Sequence, residues 1–117
     1  MKNEIIIKKS KFITYLYNIN DENKINEILN NIKIEHKKAT HICYAYNINN
    51  KVKINDDNEP KGTAGMPIYS VIEKNKLNNI IIIVVRYFGG IKLGAGGLFR
   101  AYSKSASEII KLYKKTE

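Results

Sequence analysis

The sequence predicts an α+β fold in which helices cover a mostly antiparallel sheet. Two short runs of β-branched and aromatic residues open the chain, at residues 4–8 and 11–18. Residues 79–87 are apolar without interruption until Arg86, which is typical of a central strand buried on both faces. Between and after these runs, apolar residues recur at helical spacing. Strands and helices therefore mix along the chain in the way expected for a sheet layered with helices.

The strands are expected to pair as hairpins. The two opening runs are separated only by Lys9 and Ser10. A third strand, residues 40–48, alternates in polarity, with its tyrosines on one face and Cys43 on the other. Residues 51–54 then pair back across Asn49-Asn50, because two asparagines tolerate the positive φ of a tight turn.

Three helices are predicted. The first is amphipathic and covers Asp21 to Lys33, with Asn20 as its cap. The second begins at Pro67, because proline suits the first position of a helix. The third covers Leu98 to Lys115. Its inward stripe comprises Leu98, Ala101, Tyr102, Ser105, Ile109 and Leu112.

Composition narrows the class of protein. With 117 residues, of which 44% are hydrophobic and 26% charged, residues 1–117 are expected to form a single globular domain. The longest apolar run is far shorter than the ~20 residues of a membrane span. The amino end has no apolar signal, so a cytoplasmic protein without a membrane partner is expected. Cys43 is the only cysteine, which excludes an internal disulfide, and no cofactor or metal is predicted.

A glycine-rich segment lies between the apolar strand and the last helix. Glycines allow positive φ and close approach to the backbone, and a helix start favours anions. The chain carries a formal charge of +9, and no carboxylate occurs from Lys74 through Ser107. These features predict a phosphate or nucleic-acid site, although the same glycines also suit a simple tight reversal. The candidate residues are Arg86, Gly89, Gly90, Lys92, Gly94, Gly96, Gly97, Arg100 and Lys104. Gly96 and Gly97 are expected to adopt conformations closed to β-branched residues.

A second segment, residues 56–68, places acids, a threonine and glycines before a helix. One interpretation is a polar site made of His41, Asp57, Glu59 and Thr63, with His41 as an acid or base. The other, which we favour, is an acidic turn followed by a helix cap. His36 is expected to be solvated among lysines, and Cys43 to be a small core residue.

The two segments carry a family resemblance. DDNEPKGTAGMPI at 56–68 and RYFGGIKLGAGGLFR at 86–100 resemble the signature of the N-terminal domain of the IMPACT family, also called the YigZ family. SKF at 10–12 and ATHICYAY at 39–46 support it, so the resemblance spans nearly the whole chain. Asn58 departs from the family pattern, which usually has glycine there. Members usually carry a second domain, and we expect this chain to be a free-standing copy of the first.

The resemblance implies a two-layer α+β sandwich like the second domain of small-subunit ribosomal protein five. That fold occurs in RNA binders and in enzymes, so it does not decide the function. Eukaryotic relatives are translational regulators that compete for an activator of the amino-acid-starvation kinase. Nucleic-acid binding is the usual suggestion for bacterial ones.

Three hypotheses follow. The first is a translation-linked regulatory module that binds RNA, the ribosome or a protein partner through the basic glycine-rich loop and helix start. The second is an enzyme acting on a phosphorylated or nucleotide substrate, with His41, Asp57 and Glu59 beside a phosphate site of Arg86, Lys92 and Arg100. The third is a protein-interaction adaptor without an anion site. The first is favoured, because no ordered nucleophile–base pair is visible. The oligomeric state is left open.

Overall fold

A computed structural model describes residues 1–116 of the chain. Five strands form one sheet in the order β1-β2-β5-β3-β4, and every neighbouring pair is antiparallel. The strands are β1 (Lys2–Ile7), β2 (Ser10–Asn18), β3 (His41–Ile48), β4 (Lys51–Asn55) and β5 (Ile80–Tyr87). The helices are α1 (Ile25–Glu35), α2 (Gly65–Lys74) and α3 (Gly94–Lys115). None of these helices combines the length and the apolar character needed to cross a membrane.

The central strand is β5, as the continuous apolar run predicts. It pairs with β2 on one side and β3 on the other, and Ile80 through Arg86 are buried. A strand buried on both faces needs cover on both. The α+β class and the antiparallel sheet are therefore confirmed. The helices, however, lie on both faces of the sheet, so the domain has a layer of helices on each side and not the two layers that the resemblance implies.

The two faces have separate apolar cores. On one face, α2 and α3 pack on alternate strand residues such as Phe12, Cys43 and Ile82. On the other, Leu29 of α1 and its helical neighbours pack on a second set that includes Tyr44. The period of two in β3 correctly assigned its tyrosines and Cys43 to opposite faces.

Both hairpins turn through pairs of residues with positive φ. Asn49 and Asn50 have φ of 51° and 64°, as predicted. The first turn lies at Lys8-Lys9, one residue earlier than predicted, with φ of 47° and 67°. Lysine is an unusual choice there, because two-residue hairpin turns with positive φ favour asparagine and glycine.

The helix starts differ from the predictions. A short 3₁₀ turn, Glu22–Lys24, precedes α1, and the Asp21 side chain caps it by accepting from the Asn23 amide at 2.9 Å, so the cap is not Asn20. Helix α2 begins two residues before Pro67. Helix α3 begins at Gly94 and not at Leu98, so residues 94–97 belong to the helix and not to a loop before it. In α3 the predicted inward stripe is buried except for Leu112, which is 37% exposed.

The acidic turn acts as a helix cap, as favoured above, through Asp56. Its carboxylate accepts from the amides of Gly62 (2.9 Å), Ala64 (3.2 Å) and Gly65 (2.8 Å). A carboxylate at a helix start satisfies unpaired amides and complements the helix dipole. Asp56 therefore holds residues 56–65 against the start of α2.

Replacing Asp56 with alanine is expected to lower the free energy of unfolding by about 2 kcal/mol, because three amides lose a charged acceptor. The measurement is urea unfolding followed by circular dichroism. Asp21→Ala is the matched control, since its single exposed cap is expected to be worth less than about 1 kcal/mol. Equal losses for the two variants would contradict the capping role of Asp56.

Candidate functional site

The loops that carry both sequence segments meet at one end of the sheet. Strand β5 ends there at Tyr87, and β3 begins beside it, with His41 paired to Arg86. The turn between β1 and β2 lies at the same end, since Lys11 pairs with Tyr87. The antiparallel topology thus gathers the first turn, residues 56–65 and the glycine segment in one place.

A buried ion pair lies beneath these loops. Arg86 Nη1 lies 2.8 Å and 3.0 Å from the two carboxylate oxygens of Glu59, and both side chains are more than nine-tenths buried. Nη2 donates to Ser10 Oγ at 3.3 Å, and the guanidinium lies 5.7 Å from the Phe12 ring centroid. We predicted that Arg86 stands beside the glycines as a phosphate ligand. It instead faces inward from a buried strand, where its charge is neutralised by Glu59.

Two further side chains complete this cluster. The Tyr102 hydroxyl donates to Glu59 Oε2 at 2.5 Å, and His41 Nε2 lies 3.3 Å from Oε1. Burial raises the pKa of Tyr102, so its hydroxyl stays protonated as a donor. Tyr102 was predicted only as a core residue. Its helical spacing identified the inward face but not the acid it would meet.

The remaining members of the predicted polar site have structural contacts. The Asp57 carboxylate accepts from the Ile42 amide at 2.6 Å, and its carbonyl oxygen lies 2.7 Å from His41 Nδ1. The Thr63 hydroxyl donates to the Pro60 carbonyl at 2.5 Å. His41 and Glu59 therefore meet, as one hypothesis required, whereas Asp57 and Thr63 shape the loop around them.

A cleft of about 260 Å³ joins the buried cluster to the glycine segment. Glu59 and Arg86 form part of its wall, so the two sequence segments come together in space. The cleft is lined by Glu59, Pro60, Arg86, Phe88, Lys92, Leu93, Gly94, Ala95 and Leu98. Most of these side chains are apolar, and Phe88 at the rim is 46% exposed.

The glycines fall into two groups. Gly90 and Gly94 have φ of +93° and +75°, which favours glycine, and Gly89 lies against the backbone of Lys9. Gly96 and Gly97 lie in the first turns of α3 without positive φ, so the expectation that they exclude β-branched residues for conformational reasons is wrong. The helix begins earlier than the apolar periodicity indicated, which places them inside it.

Exposed cations lie at the cleft and beside it. Of the candidate residues, Lys92, Arg100 and Lys104 are exposed. The sequence reading missed Lys8 and Lys9 in the first turn. Lys8 and Arg100 line a neighbouring cavity of about 170 Å³, and Gly89 brings the glycine segment against Lys9. We call the exposed cations Lys8, Lys9, Lys92, Arg100 and Lys104 the basic surface.

Cys43 and His36 contribute structure. Cys43 is buried, and burial raises the pKa of its thiol to about 12, so it behaves as the predicted core residue. His36 is buried rather than solvated, because its ring lies between the hydroxyls of Tyr15 (2.7 Å) and Tyr87 (2.6 Å). Among residues 1–116, no three His, Cys, Asp or Glu side chains are placed to share a metal ion.

The architecture and the two loop segments define a class: a small α+β module with a buried ion-pair cluster under a glycine-rich helix start. Residues 8–110 match the family model described as the Impact N-terminal domain. The chain belongs to this family, and the resemblance seen in its sequence is confirmed.

Several relatives show the same match. The chain is 51% identical over 110 residues to the IMPACT family member YvyE of Bacillus subtilis (strain 168), covering 92% of this chain and 51% of the relative. It is 34% identical over 110 residues to the IMPACT family member YigZ of Escherichia coli (strain K12), covering 90% and 54%. The chain therefore spans about half the length of the curated relatives it matches.

Solved structures show the same fold. A crystal structure of a hypothetical protein superposes with a TM-score of 0.90 at 33% identity, covering 94% of this chain and 56% of that one. The two-domain translational regulator Yih1 superposes with a TM-score of 0.55 at 21% identity, covering 91% and 43%. The second likeness concerns the fold alone.

Proposed function

We propose that this chain is a translation-linked regulatory module that binds RNA, free or in the ribosome, through the basic surface. The observation that carries the proposal is a set of five exposed cations at and beside the cleft: Lys92 lines it, and Lys8 and Arg100 line the neighbouring cavity. Three of the five, Lys92, Arg100 and Lys104, lie in a part of the sequence that has no carboxylate from Lys74 through Ser107. The nearby acid, Glu59, is buried and neutralised by Arg86. Phosphates approaching this surface therefore meet the positive charge of the five cations, and Glu59 does not compete because its charge is already paired. The description of Yih1 as a translational regulator supports the translational context.

The first turn adds a second argument. Lys8 and Lys9 both hold positive φ, where asparagine and glycine would be more favourable. Backbone conformations that cost stability often occur where a side chain has a function. In this interpretation the two lysines are retained for their charge and contact phosphates beside Arg100.

The enzymatic alternative has weaker support. His41 does lie beside Glu59, which lines the cleft, although His41 itself does not line it. However, the Glu59 carboxylate already accepts from Arg86 and Tyr102 and faces His41, so its oxygens serve neighbours within the protein. A general base needs a free oxygen or nitrogen directed at the substrate. Binding is therefore the function that the geometry favours.

A charge-removing change in the first turn tests the proposal. Lys8→Asn combined with Lys9→Gly suits the turn, so the melting temperature is expected to rise. Single-stranded RNA binding is expected to weaken, and the slope of log K against log salt to become shallower by about 1.4, at about 0.7 per lost phosphate contact. The measurements are a thermal melt and fluorescence-anisotropy titrations at several salt concentrations.

The matched control removes the same charge at the other end of the sheet. Lys74→Ala combined with Lys76→Asn does so, because both lysines are exposed and lie just before β5, and Lys76 has a positive φ that asparagine accepts. Its salt slope is expected to match that of the wild type. Equal slopes for both double variants, or no RNA binding by the wild type, would overturn the proposal. The second outcome would favour a protein partner.

A further inference from the structure

The cleft beside the basic surface has the dimensions and lining of a site for one flat ring. Its volume of about 260 Å³ is slightly below the ~300–1,000 Å³ of pockets that hold drug-sized ligands. A cleft of this size suits a small flat ring such as a single nucleobase.

Phe88 provides a stacking surface at the rim of the cleft. Phe88 is 46% exposed, although phenylalanine is usually buried. The Arg86 guanidinium lies 5.6 Å from the ring centroid, and the Phe88 amide donates to Thr40 Oγ1 at 2.9 Å. An aromatic ring held in place and still open to solvent can stack with a base without further ordering of its own.

The other residues that line the cleft are mostly apolar, and the charged ones are Lys92 and the mutually neutralised pair of Glu59 and Arg86. Ala95 and Leu98 line the cleft from α3, and Lys92 lines it from the loop. A base has apolar faces, and the phosphate attached to it carries a negative charge. The cleft thus offers apolar walls to the ring and a cation to its phosphate.

We propose that the cleft receives one unpaired base of an RNA strand, stacked on Phe88, while Lys92 and the rest of the basic surface contact the phosphates. This inference rests on the proposed function and specifies its ligand as single-stranded RNA. A paired base cannot enter, because its faces are covered by its neighbours in the duplex and its edge by its partner. Recognition through stacking tolerates every base, so only a modest sequence preference is expected.

The test compares two exposed phenylalanines. Phe88→Leu removes the ring at the cleft and keeps an apolar side chain, whereas Phe99→Leu makes the same change in α3, where Phe99 is 42% exposed and does not line the cleft. The probe is a short single-stranded RNA that contains one 2-aminopurine, whose fluorescence reports stacking. Phe88→Leu is expected to weaken binding about 10-fold and to abolish the fluorescence change, because base–aromatic stacking contributes ~1–3 kcal/mol per base. Phe99→Leu is expected to bind as the wild type does.

A second variant fills the cleft. Ala95→Leu places a larger side chain at an exposed helical position on its wall, so the fold is expected to be kept and single-stranded binding reduced about 10-fold. Duplex RNA of the same sequence is expected to bind equally to the wild type and both cleft variants. Salt-dependent RNA binding by the wild type that is unchanged in Phe88→Leu and Ala95→Leu would overturn the base site and leave the basic surface standing. Absence of RNA binding by the wild type would overturn both.

Discussion

Replacing Arg86 with methionine is expected to lower the free energy of unfolding by about 3–5 kcal/mol. The guanidinium is 6% exposed and neutralises Glu59, whose side chain is 2% exposed. Methionine fills much of the same space but leaves a buried carboxylate with only Tyr102 and His41 beside it. An uncompensated buried charge costs more than the pair it belonged to. The measurement is equilibrium unfolding in urea.

Changing Glu59 together with Arg86 distinguishes the cost of the unpaired charge from the cost of lost packing. Arg86→Met combined with Glu59→Leu removes both charges, so this double variant is expected to be more stable than Arg86→Met alone. Arg100→Met is the surface control, expected within about 0.5 kcal/mol of the wild type because Arg100 is exposed. If the double variant is less stable than both single ones, with the losses simply adding, the two side chains are not coupled in the way described.

Gly89 is expected to be the least replaceable glycine. A Cβ built there would lie 1.9 Å from the Lys9 carbonyl oxygen and 2.1 Å from its carbon, both backbone atoms. The loop would have to move away from the first turn and lose the hydrogen bond from the Gly89 amide to Ser10 Oγ at 3.3 Å. Gly89→Ala is therefore expected to cost more than about 4 kcal/mol or to prevent folding.

Two other glycine substitutions serve as comparisons for Gly89→Ala. Gly90 has φ of +93° and open space around it, so Gly90→Ala is expected to cost only about 1–2 kcal/mol. Gly96 is helical and exposed, so Gly96→Ala is expected to stabilise the protein by about 0.5–1 kcal/mol. The relative stabilities of the three glycine variants are measured by thermal and urea unfolding. A Gly89→Ala protein as stable as Gly90→Ala would show that the loop does not lie against Lys9.

The sequence predicted the sheet well, because strand periodicity is a local property. The apolar run before Arg86 and the alternation around Cys43 depend only on which side chains are buried. The helix start at Gly94 was missed because glycines have low helix propensity, and here the packing of Leu98 and Tyr102 overrides it.

The sequence identified Arg86 and Glu59 as candidate site residues, but it did not show that they form an ion pair. Arg86 and Glu59 are 27 residues apart, and a single sequence does not show which charges meet across a fold. Arg86 reads equally well as a free phosphate ligand or as the partner of a buried acid. Lys8 and Lys9 were overlooked because a lysine pair between strands resembles an ordinary polar turn. Only the antiparallel topology brings that turn beside Arg100.

The place of β5 in the sheet also bears on how the chain folds during synthesis. The hairpins β1–β2 and β3–β4 are translated first, but they do not pair with each other. Each joins the sheet only through β5, residues 80–87, which is made last of the five strands. Until that segment leaves the ribosome, the nascent chain holds two separate hairpins, which are marginally stable in isolation. Completion of the sheet is therefore delayed until residues 80–87 have been translated.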